Sequence, residues 1–287
     1  MKRSHSAVVM FGALLMIATP ALAACGDSGP ARSDVVGAMT DELVPSRYAE
    51  AADLAADVVP AVEVWCDGGG PDEALAAVAA ARGAWIELRP FSFGPANDRR
   101  SMFIIDPQVR LEDVDALGEE GQPVDAESVR ELAGADQRGW GAVEHLVMGE
   151  PTERRCAYAI GAATLVADEL AALADDWVDY GPSLSTDDDA ANVALRNIVS
   201  ESLFAAQMVT DEPDPDLDEH RMNGIRLALL GAAAGEGITP LLSDELVERL
   251  TAELDAGDAM DVQVTISTDV VGELGTTVNF SDADGDG

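Results

Sequence analysis

The sequence predicts an all-helical fold, built as a bundle, for this 287-residue chain. In several segments apolar residues recur at alternating steps of three and four, the spacing that keeps one helix face against its neighbours. Glycine and proline separate these segments, and Thr or Asp followed by acidic residues marks helix starts. Roughly 240 residues follow the N-terminal region, enough to bury a large core in one elongated bundle or in two packed helical halves.

The first 24 residues are predicted to be an export signal peptide. Lys2 and Arg3 precede an apolar run from Ala7 to Ala18, and small residues follow before Cys25. The run is about a dozen residues long, whereas a membrane-spanning helix needs roughly 20, and we predict no later span. We therefore expect an exported protein that is not threaded through a membrane.

Two cleavage sites compete at the end of this signal. Residues 21–23 fit a small-x-small site that would release a secreted protein with a free thiol. Residues 22–25, Leu-Ala-Ala-Cys, resemble the lipobox of bacterial lipoproteins, whose Cys receives diacylglycerol. A Cys followed by a polar tether favours the lipobox. We expect Cys25 to anchor the chain to the membrane of the cell envelope, with residues 25–46 as a flexible spacer.

The three cysteines support this interpretation. Lipidation of Cys25 leaves Cys66 and Cys156 as an even pair in an oxidising compartment, which predicts a disulfide. Because a disulfide needs Cα atoms within roughly 7 Å, the end of the first helix should pack beside the start of the helix at 152–179. The alternative is two buried free thiols.

The folded domain is predicted over residues 47–280. Glycine and proline mark the ends of helices, and the spacing of apolar residues marks the helices themselves. Together they predict helices at about 47–66, 71–88, 152–179, 186–210 and 217–234. A further helix should open at Thr239-Pro240, whereas residues 262–278 are rich in Val and Thr and by propensity favour a strand. Residues 281–287 form an acidic tail that imitates the start of a calcium loop but stops short of its roughly 12 residues.

The charge of the chain restricts its partners. There are 17 basic and 54 acidic residues, a net charge of −37, and removing Lys2 and Arg3 makes it −39 (−37 − 2). Nucleic acid and anionic lipid surfaces would be repelled, so neither is an expected partner. Acidity spread along the chain is typical of general surface chemistry such as salt adaptation.

Common catalytic signatures are absent from the sequence. It contains no His-Glu-x-x-His helix, no Gly-x-Ser-x-Gly elbow and no phosphate-binding glycine loop. Only His145 and His220 remain after residue 24. A hard-metal site would therefore depend on carboxylates.

One segment stands out from this background. Residues 138–149 read Arg-Gly-Trp-Gly-Ala-Val-Glu-His-Leu-Val-Met-Gly, and Arg-Arg-Cys-Ala-Tyr follows at 154–158. This pattern resembles the imelysin-like family, with further matches at 84–85, 93–95, 221–225 and 274–286. The resemblance implies an all-helical fold of two related bundles, including a helix at 262–278. It also implies an envelope location and a link to iron acquisition.

The family motif tied to metallopeptidase activity is Gly-x-His-x-x-Glu. Gly139 and Glu144 match its ends, but Gly141 stands where the His belongs. Positions 141 and 144 share a helix face, so a His and a Glu there could bind one ion, whereas adjacent Glu144 and His145 diverge by about 100°. The predicted ligand-binding residues are Gly139, Trp140, Gly141, Glu144 and His145, with Glu144 as the candidate metal ligand.

Each of these residues also has a structural interpretation. Glu144 could simply pair with Arg138 or Arg155, and His145 and His220 could serve only as hydrogen-bonding groups. Trp140 and Gly141 could exist for close helix packing. These alternatives stay open at the level of sequence.

Three functions follow from these observations. The leading hypothesis is a non-enzymatic envelope lipoprotein that binds a metal ion or an iron-containing ligand near Glu144, within iron-related uptake. The second is a metallopeptidase using a divalent metal, which needs at least three protein ligands and which Gly141 disfavours. The third is a passive helical scaffold for protein partners.

Overall fold

The computed structural model describes residues 29–119, 125–132, 134–232 and 237–278, which form helices and turns without a strand. The all-helical prediction is confirmed. The N-terminal helices are α1 Arg32–Ala38, α2 Val44–Cys66, α3 Asp72–Glu87, α4 Pro95–Arg99, α5 Met102–Ile105, α6 Leu111–Glu119 and α7 Ala126–Leu132. The remaining helices are α8 Trp140–Val147, α9 Glu153–Leu184, α10 Asp188–Asp211, α11 Pro215–Leu230, α12 Asp244–Ala256, α13 Ala259–Thr265 and α14 Val271–Leu274.

The centre of the fold is the long contact between α2 and α9. Fully or almost fully buried aromatic residues fill it: Tyr48 on α2 stacks on Trp177 of α9 with ring centroids 5.7 Å apart, and Trp85 of α3 meets Tyr48 edge-on at 6.5 Å. These rings bury large apolar areas, and their offset and edge-on geometry adds to that stabilisation. Helix α3 thereby packs against α2 and also reaches α11.

The C-terminal half is organised around α10. This helix contacts α1, α11 and α13, while α6, α7 and α8 pack with α9 in the other half. Helix α3 contacts both α8 and α11, so it joins the two groups of helices.

The starts of α9 and α10 lie within two residues of their predicted positions, and both helices have a side-chain N-cap. The side chain of Thr152 accepts a hydrogen bond from Arg155 N at the start of α9, and that of Asp187 accepts from Asp189 N and Ala190 N at the start of α10. Asp214 and Ser243 cap α11 and α12 in the same way. Each cap satisfies backbone N–H groups that have no partner within the helix.

The predicted flexible spacer is wrong from residue 32 onwards. Helix α1 and the π turn Met39–Leu43 continue without interruption into α2, and Val36 and Met39 are fully buried. The three-residue step between these two apolar side chains gives the segment a core-facing side that its Gly and Ser content obscured. Residues 1–28, which include the predicted signal and Cys25, and the tail at 281–287 lie outside the described residues.

Helix α9 extends beyond its predicted end at residue 179, to Leu184. Within the described part of the chain it is the one helix that is long and apolar enough, by length and composition, to cross a membrane. This corrects the expectation that no stretch after the signal is long and apolar enough. Most of its apolar stretch is buried inside the bundle, as expected for the core helix of a folded domain.

The remaining helix predictions are confirmed with shifted bounds. At Thr239–Leu241 the chain forms a short 3₁₀ turn, and α12 begins only after Ser243. The Val- and Thr-rich segment is helical through α13, the π turn Ile266–Val270 and α14. Here burial of Val262, Ile266 and Val270 against the bundle outweighs their strand propensity.

The predicted disulfide is present. Cys66, the last residue of α2, is bonded to Cys156 in the first turn of α9, with Cα atoms 5.6 Å apart. The end of α2 therefore lies beside the start of α9, as predicted from the two cysteines.

Candidate functional site

The sequence motif forms the start of helix α8, where Gly139 turns the chain into the helix. Gly139 has φ +84°, and a Cβ there would lie 2.5 Å from Pro107 Cδ and 2.7 Å from the carbonyl oxygen of Ile105. Only glycine fits this conformation and this contact without strain. Trp140 follows at once and is fully buried, so it belongs to the core and does not line an open groove.

The space beside Gly141 is taken by Val109. A Cβ built at position 141 would lie 3.0 Å from Val109 Cγ2, closer than ordinary van der Waals contact. The larger histidine of the family motif would require Val109 to move. Gly141 therefore fits a close packing contact with the loop before α6.

Glu144 faces an arginine of another helix. Arg82 of α3 places Nη1 3.6 Å from Glu144 Oε2 and Nε 3.0 Å from Asp106 Oδ1. The Glu144 side chain is 44% exposed and that of Arg82 is 27% exposed, so both charges reach solvent. Neither of the partners considered from the sequence, Arg138 or Arg155, forms this pair.

Asp106 is the buried member of this group, with a side chain 10% exposed. Burial raises the pKa of its carboxyl, and the charge and hydrogen bond of Arg82 act in the opposite direction. The guanidinium of Arg82 thus lies between one buried and one exposed carboxylate. We call Arg82, Asp106 and Glu144 the arginine bridge.

His145 belongs to a different cluster on α8. Its Nε2 lies 2.9 Å from Asp115 Oδ1 of α6, and Arg155 Nη1 donates to the same oxygen at 3.0 Å. The hydrogen bond from His145, with a further one from Arg155, lowers the pKa of Asp115. Arg155 also donates to the carbonyl oxygens of His145 and Leu146, so this cluster ties α6, α8 and α9 together.

His220 is also held by a carboxylate. Its Nδ1 lies 2.8 Å from Glu87 Oε1, and Gly83 leaves room for the ring, because a Cβ at that position would lie 2.4 Å from Nε2. The hydrogen-bonding interpretation of both histidines matches these contacts.

These donors do not fit a catalytic zinc ion. The described residues contain no group of three or more His, Cys, Asp or Glu side chains placed to hold a metal. Glu144 has an arginine as its charged neighbour, and His145 bonds Asp115. A hydrolytic zinc site needs three protein ligands and an open position.

Sequence reasoning missed Arg82, Asp106 and Asp115. Arg82 is the single charged residue between Ala74 and Ile86 in the alanine-rich helix α3, and this isolation was the available signal. Asp106 and Asp115 lie in a stretch rich in acidic residues, where nothing in the sequence distinguishes them.

Comparison with known proteins agrees with this fold. A crystal structure of an imelysin-like protein from Psychrobacter arcticum matches with a TM-score of 0.65 and 16% identity, covering 87% of this chain and 97% of that chain. A crystal structure named as an iron-regulated protein A precursor from Parabacteroides distasonis matches with a TM-score of 0.63 and 15% identity, covering 87% and 95%. At these identities the likeness establishes the fold alone.

The search of proteins with curated function gave no significant match. The family model of imelysin, a peptidase family by its designation, matches residues 45–278. The match spans the whole helical domain from α2 to the last described residue, so this chain belongs to the imelysin family.

Proposed function

We propose that this chain is an exported, lipid-anchored binding protein that holds an iron-containing ligand at the arginine bridge and does not act as a peptidase. The observation that carries the proposal is the position of Arg82, whose guanidinium stands beside Glu144 where a metal ligand would be needed. The iron link rests on the family and on the name of one structural neighbour.

The chemistry of the bridge favours a ligand that brings its own iron coordination, such as haem or a ferric chelate. A bare ion would need several ligands from the protein, and the described residues do not provide such a group. Arg82 is partly exposed and could donate to a carboxylate of the ligand, as guanidinium groups commonly do. Glu144 would accept from a donor group of the same ligand.

Anchoring through Cys25 stays a prediction. The disulfide between Cys66 and Cys156 supports an oxidising compartment, since such bonds rarely persist in the cytosol. Mass spectrometry of the protein isolated from its native membrane would test lipidation of Cys25 directly.

Equilibrium titration tests the ligand proposal. Haem, ferric citrate, ferrous ion and zinc ion would each be titrated into the wild type, Arg82→Gln and Glu144→Ala. We expect haem or ferric citrate to bind one site, with at least tenfold weaker binding in both variants.

Glu150→Ala is the matched control, because Glu150 is an exposed carboxylate just after α8 and its loss removes the same charge. Weak binding that is equal in all four proteins would reflect the acidic surface and would refute the proposal. Tight binding of bare zinc that depends on Glu144 would favour a metal site instead.

A further inference from the structure

A cavity of about 380 Å³ lies between the α4–α5 turn and the residues that precede α8. Its lining contains three arginines, two apolar side chains and one alanine: Arg99, Arg100, Phe103, Ile104, Ala135 and Arg138. None of the described residues that line it is acidic. In a chain of net charge −37, three arginines around one cavity depart from the general surface.

The three arginines differ in how far their charge is neutralised. Arg99 donates to both carboxylate oxygens of the buried Glu169, at 2.9 and 3.0 Å, and to Asp176 at 3.1 Å. Its charge is therefore already compensated.

Arg138 and Arg100 form no salt bridge with an acidic residue in the described part of the chain. Arg138 donates only to the carbonyl oxygens of Phe103 and Arg130, at 3.0 and 3.5 Å. Burial, and then the positive charge of Arg130, lower the pKa of Arg138, and the negative charge of Glu169 acts in the opposite direction without cancelling them. The guanidinium of Arg100 makes no hydrogen bond or ion pair with the described residues.

The backbone at Arg100 is unusual as well. Among the described residues it is the one non-glycine with positive φ, at +56°. Residues with a side chain seldom adopt this backbone conformation, because it is unfavourable in free energy. Residues held in such conformations are concentrated at functional sites. A glycine would fit the turn better, so packing and turn geometry alone do not explain an arginine here.

The apolar part of the lining suggests what else the ligand carries. Phe103 is 56% exposed, although a large aromatic side chain is usually buried. The cavity is also larger than a single small ion requires and falls in the usual range for small-molecule sites.

We propose that this cavity binds a small organic phosphate, with Arg100 and Arg138 holding the phosphate and Phe103 covering an apolar or aromatic part. A phosphate monoester carries a charge of about −1.5 to −2 at neutral pH, which suits two guanidinium groups that form no salt bridge. Arginine also binds phosphate oxygens through two parallel N–H donors. This site is separate from the arginine bridge and does not depend on the iron-containing ligand.

Phenyl phosphate, inorganic phosphate and phenol would be titrated into the mature protein by calorimetry. We expect one site for phenyl phosphate, weaker binding of inorganic phosphate and none of phenol. Arg138→Gln and Arg100→Gly should each weaken phenyl phosphate binding at least tenfold. Arg226→Gln, which removes an arginine of α11 that pairs with Asp255 of α12, should leave phenyl phosphate binding unchanged.

Arg100→Gly separates binding from folding, because it removes the guanidinium and relieves the positive φ. Its melting temperature should equal or exceed that of the wild type while phenyl phosphate binding is lost. Equal affinity in the wild type and both pocket variants, or equal binding of phenol, would overturn the proposal. The proposal would also be overturned if the protein bound vesicles containing phosphatidic acid and phenyl phosphate did not compete with that binding. The phosphate recognised would then be that of a lipid.

Discussion

Two glycines at the start of α8, Gly139 and Gly141, should differ in how much stability the protein loses when each is replaced by alanine. Gly139→Ala places a side chain at φ +84° against the Ile105 carbonyl and should cost about 2 kcal/mol or more. Gly141→Ala meets only the tip of Val109, and better helix propensity of up to about 1 kcal/mol offsets that contact.

Urea unfolding of the two variants measures this difference. An equally large loss of unfolding free energy in both variants would mean that Val109 cannot move away from the added methyl group. The packing explanation for Gly141 would then need a rigid loop at Val109.

Asp115 gives a prediction about pH. Because the hydrogen bond from His145 lowers its pKa in the folded state, the pair stabilises the fold above the ordinary Asp pKa of about 3.9 and stops doing so as pH falls through the lower folded value. Asp115→Asn should therefore cost stability at pH 6. The difference from wild type should shrink below about pH 4.

The size of this effect should be modest. The Asp115 side chain is 39% exposed, so solvent screening limits the loss to about 1 kcal/mol or less. Thermal unfolding between pH 2 and pH 7 checks it, with Asp113→Asn as the control on the same helix. A difference that persists unchanged at pH 2 would contradict the assignment.

At the residue scale the sequence located the motif but not its partners. The spacing of Gly139, Gly141 and Glu144 and the absence of the motif histidine can be read directly from the sequence. The pairing of Glu144 with Arg82 depends on how α3 packs on α8, a contact between residues 62 positions apart (144 − 82). Local sequence patterns carry no information about such a contact.

The disulfide joins two elements, and its removal should test how they are held together. Cys66 and Cys156 close a loop of 90 residues, for which the chain-entropy model gives about 4 kcal/mol. Cys66→Ser/Cys156→Ser should therefore unfold at a markedly lower denaturant concentration.

Thiol titration of the unfolded, unreduced protein provides the second measurement. We expect no free thiol from residues 66 and 156. Two reactive thiols would contradict the bond, and equal stability with and without it would contradict its structural role.

At the element scale helix existence was predictable and helix boundaries less so. The cap at Asp187 and the apolar spacing along α9 are local signals, and the structure confirms both. Helix α1 was missed because its burial depends on α9 and α10, and the helical state of residues 262–278 came from the family resemblance alone. In both cases tertiary contacts outweigh local composition.

At the scale of the whole molecule the chain has the family fold, and its motif segment has Gly141 at the position of the motif histidine. Val109 fills the space beside Gly141, and Arg82 stands next to Glu144. Gly141 takes the place of the histidine in the family motif, and Arg82 lies between the carboxylates of Glu144 and Asp106.

Peptide hydrolysis by the mature protein, with added zinc and then with a chelator, tests this replacement most directly. Because the described residues offer no three-ligand group for zinc, we predict no hydrolysis that zinc increases and the chelator removes. Zinc-dependent hydrolysis in the wild type that is lost in Glu144→Ala would contradict the account.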